Sequence, residues 1–499
     1  MLFNSLHFAF FFPLAITIYF ATPRQYRWIW LLVSSYYFYM CWNPQYVLLI
    51  LCSTVVDYFA ARWMAKTESD QGRKRLLGLS LGINLGLLGT FKYFNFFSQS
   101  VQDALAAFNI FAETPTFQLL LPVGISFYTF QTLSYSIDVY RRKIEPETHF
   151  GYFAVYVAFW PQLVAGPIER PSRLLPQLRQ PPDLNVARIR AGLSIMLWGF
   201  FQKLVIADRL APFVGTVYDQ PIEAIQQTSS AAVWLAGYAF SFQIYCDFSG
   251  YSLIAIGAAR VMGIHLMINF KRPYFARSVG EFWQRWHISL STWFKDYVYI
   301  PLGGSRVTRM RHFRNLLITF GVSGLWHGAG WAFIVWGLIH GFYLISTTLT
   351  DGLRRSVIPR LGIDRKGWLW SNLQRVFTFH LVLFGWVFFR SADLTTAMAL
   401  ISRMFLGPWE SAVGIWPQAA GSLSTGSLGA GISDELSFTL ALVLIVLLLV
   451  QDALFRDGEV HHWLAKLSVV QRRSWYLGVC SLILWFGVFS SQEFIYFQF

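Results

Sequence analysis

The chain has 499 residues, of which 55% are hydrophobic, 18% aromatic and only 13% charged, against about 25% charged in an ordinary soluble domain. That deficit argues against a soluble protein and for an all-α, polytopic integral membrane protein, because an α-helix of about 20 apolar residues crosses roughly 30 Å of hydrocarbon and such runs recur here. The net charge of +14 does not point to nucleic acid, since the basic residues sit in short loops between apolar runs and read as topology signals.

About eleven apolar segments are expected to be transmembrane helices. The first, Leu6 to Ala21, has no basic stretch before it and no small-residue cleavage site after it, so it reads as a retained helix. If the loop with Arg24 and Arg27 is cytoplasmic, the connection Asn43 to Gln45 falls outside without Lys or Arg. The loop with Lys66, Arg73, Lys74 and Arg75 then falls inside, Asn95 to Phe117 outside with no basic residue, and Arg141, Arg142 and Lys143 inside. Gly151 to Pro167 is flanked by basic residues on both sides and interrupted by Pro161 and Gly166. It reads as a re-entrant or interfacial element on the cytoplasmic face, stable at depth only where protein or cavity water satisfies its backbone. Trp160, Gln162 and Glu169 are therefore candidates for a donor entrance. Ala191 to Phe213 crosses outward, Tyr218 to Ser230 lies outside, and the chain returns from Ala231.

From Arg260 to Arg314 the chain is dense in Lys and Arg, and Phe282, Trp286, Leu290, Trp293 and Tyr297 recur at helical spacing, as in an amphipathic cytoplasmic interfacial segment. The loops Arg354 to Lys366 and Arg456 to Arg473 are basic and read as internal. Ser391 to Ser437 is Gly/Ser-rich and nearly free of basic residues, so it reads as external, and Trp475 to Phe489 as the last crossing. Cys41, Cys52, Cys246 and Cys480 lie in apolar segments without metal-ligand spacing and read as small core residues. No repeat of fixed period stands out, and one membrane domain over residues 1–499 is the simplest division.

Ionisable residues inside apolar segments are costly and so become functional candidates; here they are Asp57, Lys92, Asp138, Lys203, Asp247, His327, His340 and His380. Asp57, Lys92 and Lys203 lie near expected helix ends, where snorkelling or interhelical pairing is the ordinary explanation. His340 and His380 sit among aromatic residues, as core histidines do. His327 differs. It follows Leu316 to Leu325, a stretch that reaches only about 15 Å, or half the bilayer. Gly328, Ala329 and Gly330 come next, small enough for a substrate to approach the backbone. With an ordinary pKa of about 6.5, a histidine at that depth stays neutral and can act as a general base. His287, beside Trp283, Trp286, Leu290 and Phe294, reads either as a packed interface residue or as a second histidine of the same cavity. HExxH, GxSxG and phosphate-loop motifs are absent from the sequence, which lowers hydrolase and nucleotide-dependent readings.

Several blocks carry a resemblance: QRWHISLSTWFKDYVYIPLGGSR from Gln284, GLWHGAGWAFIVWGLIHG from Gly324, PVGISFYTFQTLSYSIDVYRRK from Pro122, FWPQLVAGPIERPSRLLPQL from Phe159, CDFSGYSLIAIGAARVMGI from Cys246 and FGWVFFRS from Phe384. In this order and at these lengths they resemble the membrane-bound O-acyltransferase family, in its bacterial alginate O-acetylation branch and, more distantly, the proteins of teichoic acid D-alanylation. The likeness covers residues 1–390; residues 391–499, read as an outer loop and C-terminal helices, give little to match. One departure is Leu253, where many relatives carry an acidic residue, which puts in doubt any acceptor or partner contact made there.

The resemblance implies a multi-helix shell around a central funnel, with His327 as the family's WHG histidine and His287 as its RWHIS histidine. A thioester donor, acetyl-CoA or another acyl thioester, is expected to dock among the basic residues Arg272, Arg277, Lys295 and Arg306, which suit an anionic phosphate; ordinary contact with lipid headgroups is the competing reading. His327 would deprotonate an acceptor hydroxyl and His287 would orient it, stabilise charge or protonate the leaving thiolate. No metal and no nucleic acid is implied. The expected setting is the bacterial inner membrane, the acceptor an exopolysaccharide such as alginate, and the finisher of the transfer a periplasmic acetyltransferase. The alternatives are peptidoglycan, teichoic acid or a protein as acceptor, or a non-enzymatic polysaccharide exporter in which His327 relays protons.

Overall fold

Backbone N–H and C=O groups in hydrocarbon have no water to pair with, so an apolar chain satisfies them within helices, and this chain does so nearly throughout. The structure, a computed structural model, describes residues 1–111, 113–117, 120–360, 362, 364, 367–409, 434–454, 460–489 and 494–495. Much of the expected outer loop Ser391 to Ser437, and part of the basic loop that begins at Arg456, lie outside the described residues.

Among the described residues the helices are α1 (Leu6–Ala21), α2 (Arg27–Met40), α3 (Val47–Lys66), α4 (Asp70–Leu88), α5 (Phe94–Ala107), α6 (Ile125–Tyr140), α7 (Phe150–Ala158), α8 (Pro171–Arg179), α9 (Val186–Phe200), α10 (Asp208–Tyr218), α11 (Ile222–Ile225), α12 (Ser230–Met262), α13 (Val279–Trp283), α14 (Ile288–Phe294), α15 (Arg309–His327), α16 (Trp331–Arg360), α17 (Trp368–Arg390), α18 (Leu394–Leu406), α19 (Asp434–Leu454), α20 (Val460–Lys466) and α21 (Val469–Phe486). Four continuous stretches meet both the length and the hydropathy of a full crossing: Pro44–Lys66, Asp70–Ala107, Val186–Tyr218 and Trp331–Val357. Among the described residues no other helix meets both criteria.

The chain forms two compact units, Met1–Met196 with Ser252–Met267, and Leu197–Tyr251 with Ile268–Phe499. In the first unit α3, α4 and α6 converge on the buried carboxylate of Asp57. Ser80 donates to Oδ1, Ser136 donates to the same oxygen at 2.7 Å, and the Asn84 amide donates to Oδ2 at 2.8 Å. Three donors from two neighbouring helices compensate a group that would otherwise be costly to bury. Asp57 thus serves as an interhelical tie.

The expected re-entrant element folds as the short helix α7 followed by an irregular turn, Phe159 to Gly166, and its residues are buried. Protein groups satisfy that turn. The Ser35 hydroxyl accepts the Trp160 N–H at 3.1 Å, and the Gln162 side chain donates to the Tyr156 carbonyl at 3.2 Å. The Trp160 ring is enclosed by Phe3, Phe8, Phe11, Phe12 and Phe38. Glu169 lies at the end of this stretch and is fully buried; its carboxylate accepts the Met267 N–H and lies 3.9 Å from the Arg173 guanidinium.

In the second unit α15 and α16 form an antiparallel hairpin whose turn is Gly328 to Gly330. A methyl group on Gly324 or Gly337 would collide with the carbonyl oxygens of Phe333 and Phe320, so the two backbones approach as closely as glycine allows. The hairpin sets the basic residues Arg309 to Arg314 toward one end and His327 at the other, about 20 to 27 Å apart at 1.5 Å per residue.

Candidate active site

His287 and His327 reach one place by different local routes. His327 is the last residue of α15; Gly328 leaves the helix in extended conformation, φ −156°. His287 ends an irregular turn, Gln284 to His287, and has φ 42° and ψ 55°, in the left-handed region that a side chain seldom adopts. The aromatic spacing from Phe282 to Tyr297 therefore does not belong to one amphipathic helix. It is divided into α13, this turn, α14 and a π turn, Lys295–Tyr299. The break has a non-local cause: Lys271 N–H donates to the Arg285 carbonyl at 2.9 Å, and Ile288 N–H to the Asn269 carbonyl at 3.0 Å. The Asn269 side chain accepts from Ser289 Oγ at 2.7 Å and from the Ser289 N–H at 3.3 Å. Asn269 thus caps the start of α14 from outside the helix.

Both imidazoles are buried, His287 completely and His327 to within 3%. Their ring centres are 6.4 Å apart, a separation at which an oxygen between them can be reached by both. Around His327 stand Trp326 at 4.9 Å, Trp336 at 4.9 Å and Phe389 at 5.3 Å, each edge-on. Against His287 stands the edge of Phe248, at 4.5 Å and 87°. Such a lining shields both rings from solvent. A histidine pair in an aromatic box can accept a proton from a hydroxyl and return it to a leaving group.

A sequence profile of the membrane-bound O-acyltransferase family matches residues 146–389, a span that holds both histidines and the rings around His327. The probable alginate O-acetylase of Azotobacter vinelandii is 39% identical over 412 residues, 82% of this chain and 79% of that protein. This chain belongs to the membrane-bound O-acyltransferase family. The probable alginate O-acetylase of Pseudomonas aeruginosa is 38% identical over 413 residues, 82% of this chain and 76% of its own. A peptidoglycan O-acetyltransferase of Helicobacter pylori is 36% identical over 407 residues, 75% and 73% of the two chains. The protein is a helical membrane enzyme, an O-acyltransferase, as its sequence blocks suggested.

In this O-acyltransferase the four basic residues expected to hold the donor have different local surroundings. The exposed Lys295 lines a cavity of about 310 Å³ between α14 and α15, with Trp283, Ile288, Phe294, Leu316 and Phe320. Arg306 is exposed in the loop before α15, which the Asn315 amide ties down by donating to the Leu302 and Gly304 carbonyls at 3.0 and 3.1 Å. The Arg277 guanidinium lies 4.0 Å from the Glu281 carboxylate, which also accepts the Arg277 backbone N–H at 2.6 Å, and the Arg272 guanidinium reaches the Asp452 carbonyl at 3.4 Å. Arg272 and Arg277 therefore already answer to protein oxygens.

His340, Lys203 and Asp247 are buried and paired within the protein, and His380 is half-buried. Trp283 donates to His340 Nδ1 at 3.3 Å, and Gly385 leaves room for the far side of that ring. His380 Nε2 meets the Tyr238 hydroxyl at 2.8 Å. Lys203 pairs with Asp247 at 2.6 Å and with Asp208 at 2.7 Å. Sequence reasoning missed Asn269, Phe248, Trp336 and Phe389. Phe248, Trp336 and Phe389 lie in the blocks quoted above, whereas Asn269 gives no local signal, since its capping partner Ser289 is twenty residues away.

Proposed function

We propose that this enzyme takes an acetyl group from a cytoplasmic thioester, acetyl-CoA or an acyl carrier, and passes it across the inner membrane for O-acetylation of an exopolysaccharide such as alginate, through a periplasmic acetyltransferase partner. The observation that carries the chemistry is the pair of buried histidines, 6.4 Å between ring centres, inside an aromatic wall. The 39% identity to a probable alginate O-acetylase supports the acceptor class.

His327 takes the proton of the acceptor hydroxyl as its oxygen bonds to the thioester carbonyl carbon; the C–S bond then breaks, and the sulfur leaves as the thiol with that proton, which His327 returns directly or passes on through His287, so that both imidazoles end as they began. Lys295, at the cavity between α14 and α15, is the basic residue best placed for the donor's phosphate or carrier surface, and the exposed Arg306, eleven residues further along the chain, is a second candidate. Arg272 and Arg277 act in the donor site only if the donor displaces their present partners.

The likeness to a peptidoglycan O-acetyltransferase, 36% identical, supports a second acceptor. Mass spectrometry of all cell-envelope polysaccharides with and without the gene separates the two. Loss of ester-linked acetyl from an exopolysaccharide supports the first reading, loss from peptidoglycan alone replaces it with the second, and unchanged acetylation everywhere overturns both.

A further inference from the structure

The family profile ends at residue 389, yet two residues far beyond it are buried against the region of His287. Phe494 stacks on the Tyr251 ring, 4.7 Å between centres and 27° between planes, and lies 5.6 Å from Phe248. The Ile495 N–H donates to Asp247 Oδ2 at 2.8 Å. The other oxygen of Asp247 is fixed by Lys203 at 2.6 Å, and Lys203 is shared with Asp208. Phe494 and Ile495 are 2% and 4% exposed, and Lys203, Asp208 and Asp247 are buried as well.

Asp247, Phe248 and Tyr251 lie at i, i+1 and i+4 on α12, so they share one side of the helix. The tail residues engage all three. Of these, Phe248 has the consequential position: its other ring contacts include Phe270 at 5.0 Å and the imidazole of His287 at 4.5 Å. Phe248 is thus a ring held between the tail and a histidine whose backbone is already in the left-handed region.

We infer that Phe494 and Ile495 form a positioning element for His287, acting through Phe248. The inference rests on the proposed catalytic role of His287 and assigns to the C-terminal tail a part in the site that the family profile does not cover. The Asp247 carboxylate, held by Lys203, anchors the tail backbone; the Phe494 ring then closes the space into which Phe248 would otherwise turn, and Phe248 keeps the His287 ring facing His327. Side chains that orient a reacting group in this way act on turnover and leave substrate binding largely alone.

The test compares Phe494→Ala, Phe248→Ala and the double variant in the full chain, at matched membrane levels, with kcat and KM for a thioester donor and a thermal melt of each. Each single variant is expected to lower kcat about ten- to a hundredfold with KM little changed, as loss of orientation does. The double variant is expected to match Phe248→Ala, because both act along one route. Wild-type kcat in Phe494→Ala, or losses that multiply in the double variant, overturns the inference. If Phe494→Ala does not accumulate, Phe494→Leu keeps the apolar volume without the stacked ring and is expected to fold with an intermediate kcat; wild-type kcat there also counts against the inference. His287→Ala in parallel separates this idea from the one beneath it. Full transfer by His287→Ala removes the role of the histidine itself, whereas loss there with full transfer by Phe494→Ala removes only the tail.

Discussion

His287 combines complete burial with a positive φ of 42°, and the two properties predict an unusual order of stabilities. At an ordinary position glycine is the less stable replacement, but a left-handed backbone costs an alanine about 1 kcal/mol or more that glycine does not pay. His287→Gly should therefore melt at a higher temperature than His287→Ala, while both lose acyl transfer. The reverse order would mean that the turn at 284–287 relaxes once the imidazole is gone. At this scale the sequence was informative about which histidines matter and silent about how one is held. His327 announced itself through the small residues that follow it. The strained conformation of His287 depends on Asn269 and on the Lys271 and Arg285 backbone pair, which no local pattern in the RWHIS block reveals.

Among the elements, the hairpin of α15 and α16 sets the position of His327, and its tolerance to substitution should be sharply position-dependent. Gly337 faces the Phe320 carbonyl at a distance that admits no methyl, whereas Gly352 on the same helix has open space around it. Gly337→Val should push the two helices apart, lower the melting temperature and reduce transfer by displacing His327 from His287. Gly352→Ala should be neutral or stabilising by up to about 1 kcal/mol, the usual helix-propensity difference. Equal behaviour of the two variants in a thermal melt and a transfer assay would refute the close packing. The hairpin's glycines and apolar runs were legible in the sequence. The division of the 282–297 stretch was not, because aromatic residues at helical spacing fit a continuous helix until backbone bonds from residues 269–271 interrupt it.

For the whole molecule, composition made membrane residence legible, and several long blocks occurring in order made the family legible. The donor site was less legible: positive charge near a bilayer serves topology, lipid contact and ligand binding alike, and two of the four chosen cations meet oxygens of the protein instead. The central claim remains that the buried histidine pair performs acyl transfer. A lost general base costs about 10² to 10⁴ in rate, whereas deleting one ring from a packed box costs about 1–3 kcal/mol of stability. The direct measurement is the ester-linked acetyl content of the cell's polysaccharides in a deletion strain carrying either wild-type protein or His327→Ala at equal membrane abundance. Normal abundance with acetylation reduced to the level of the deletion is the predicted result. Wild-type acetylation from His327→Ala, or loss of the protein from the membrane in place of its activity, would contradict the account.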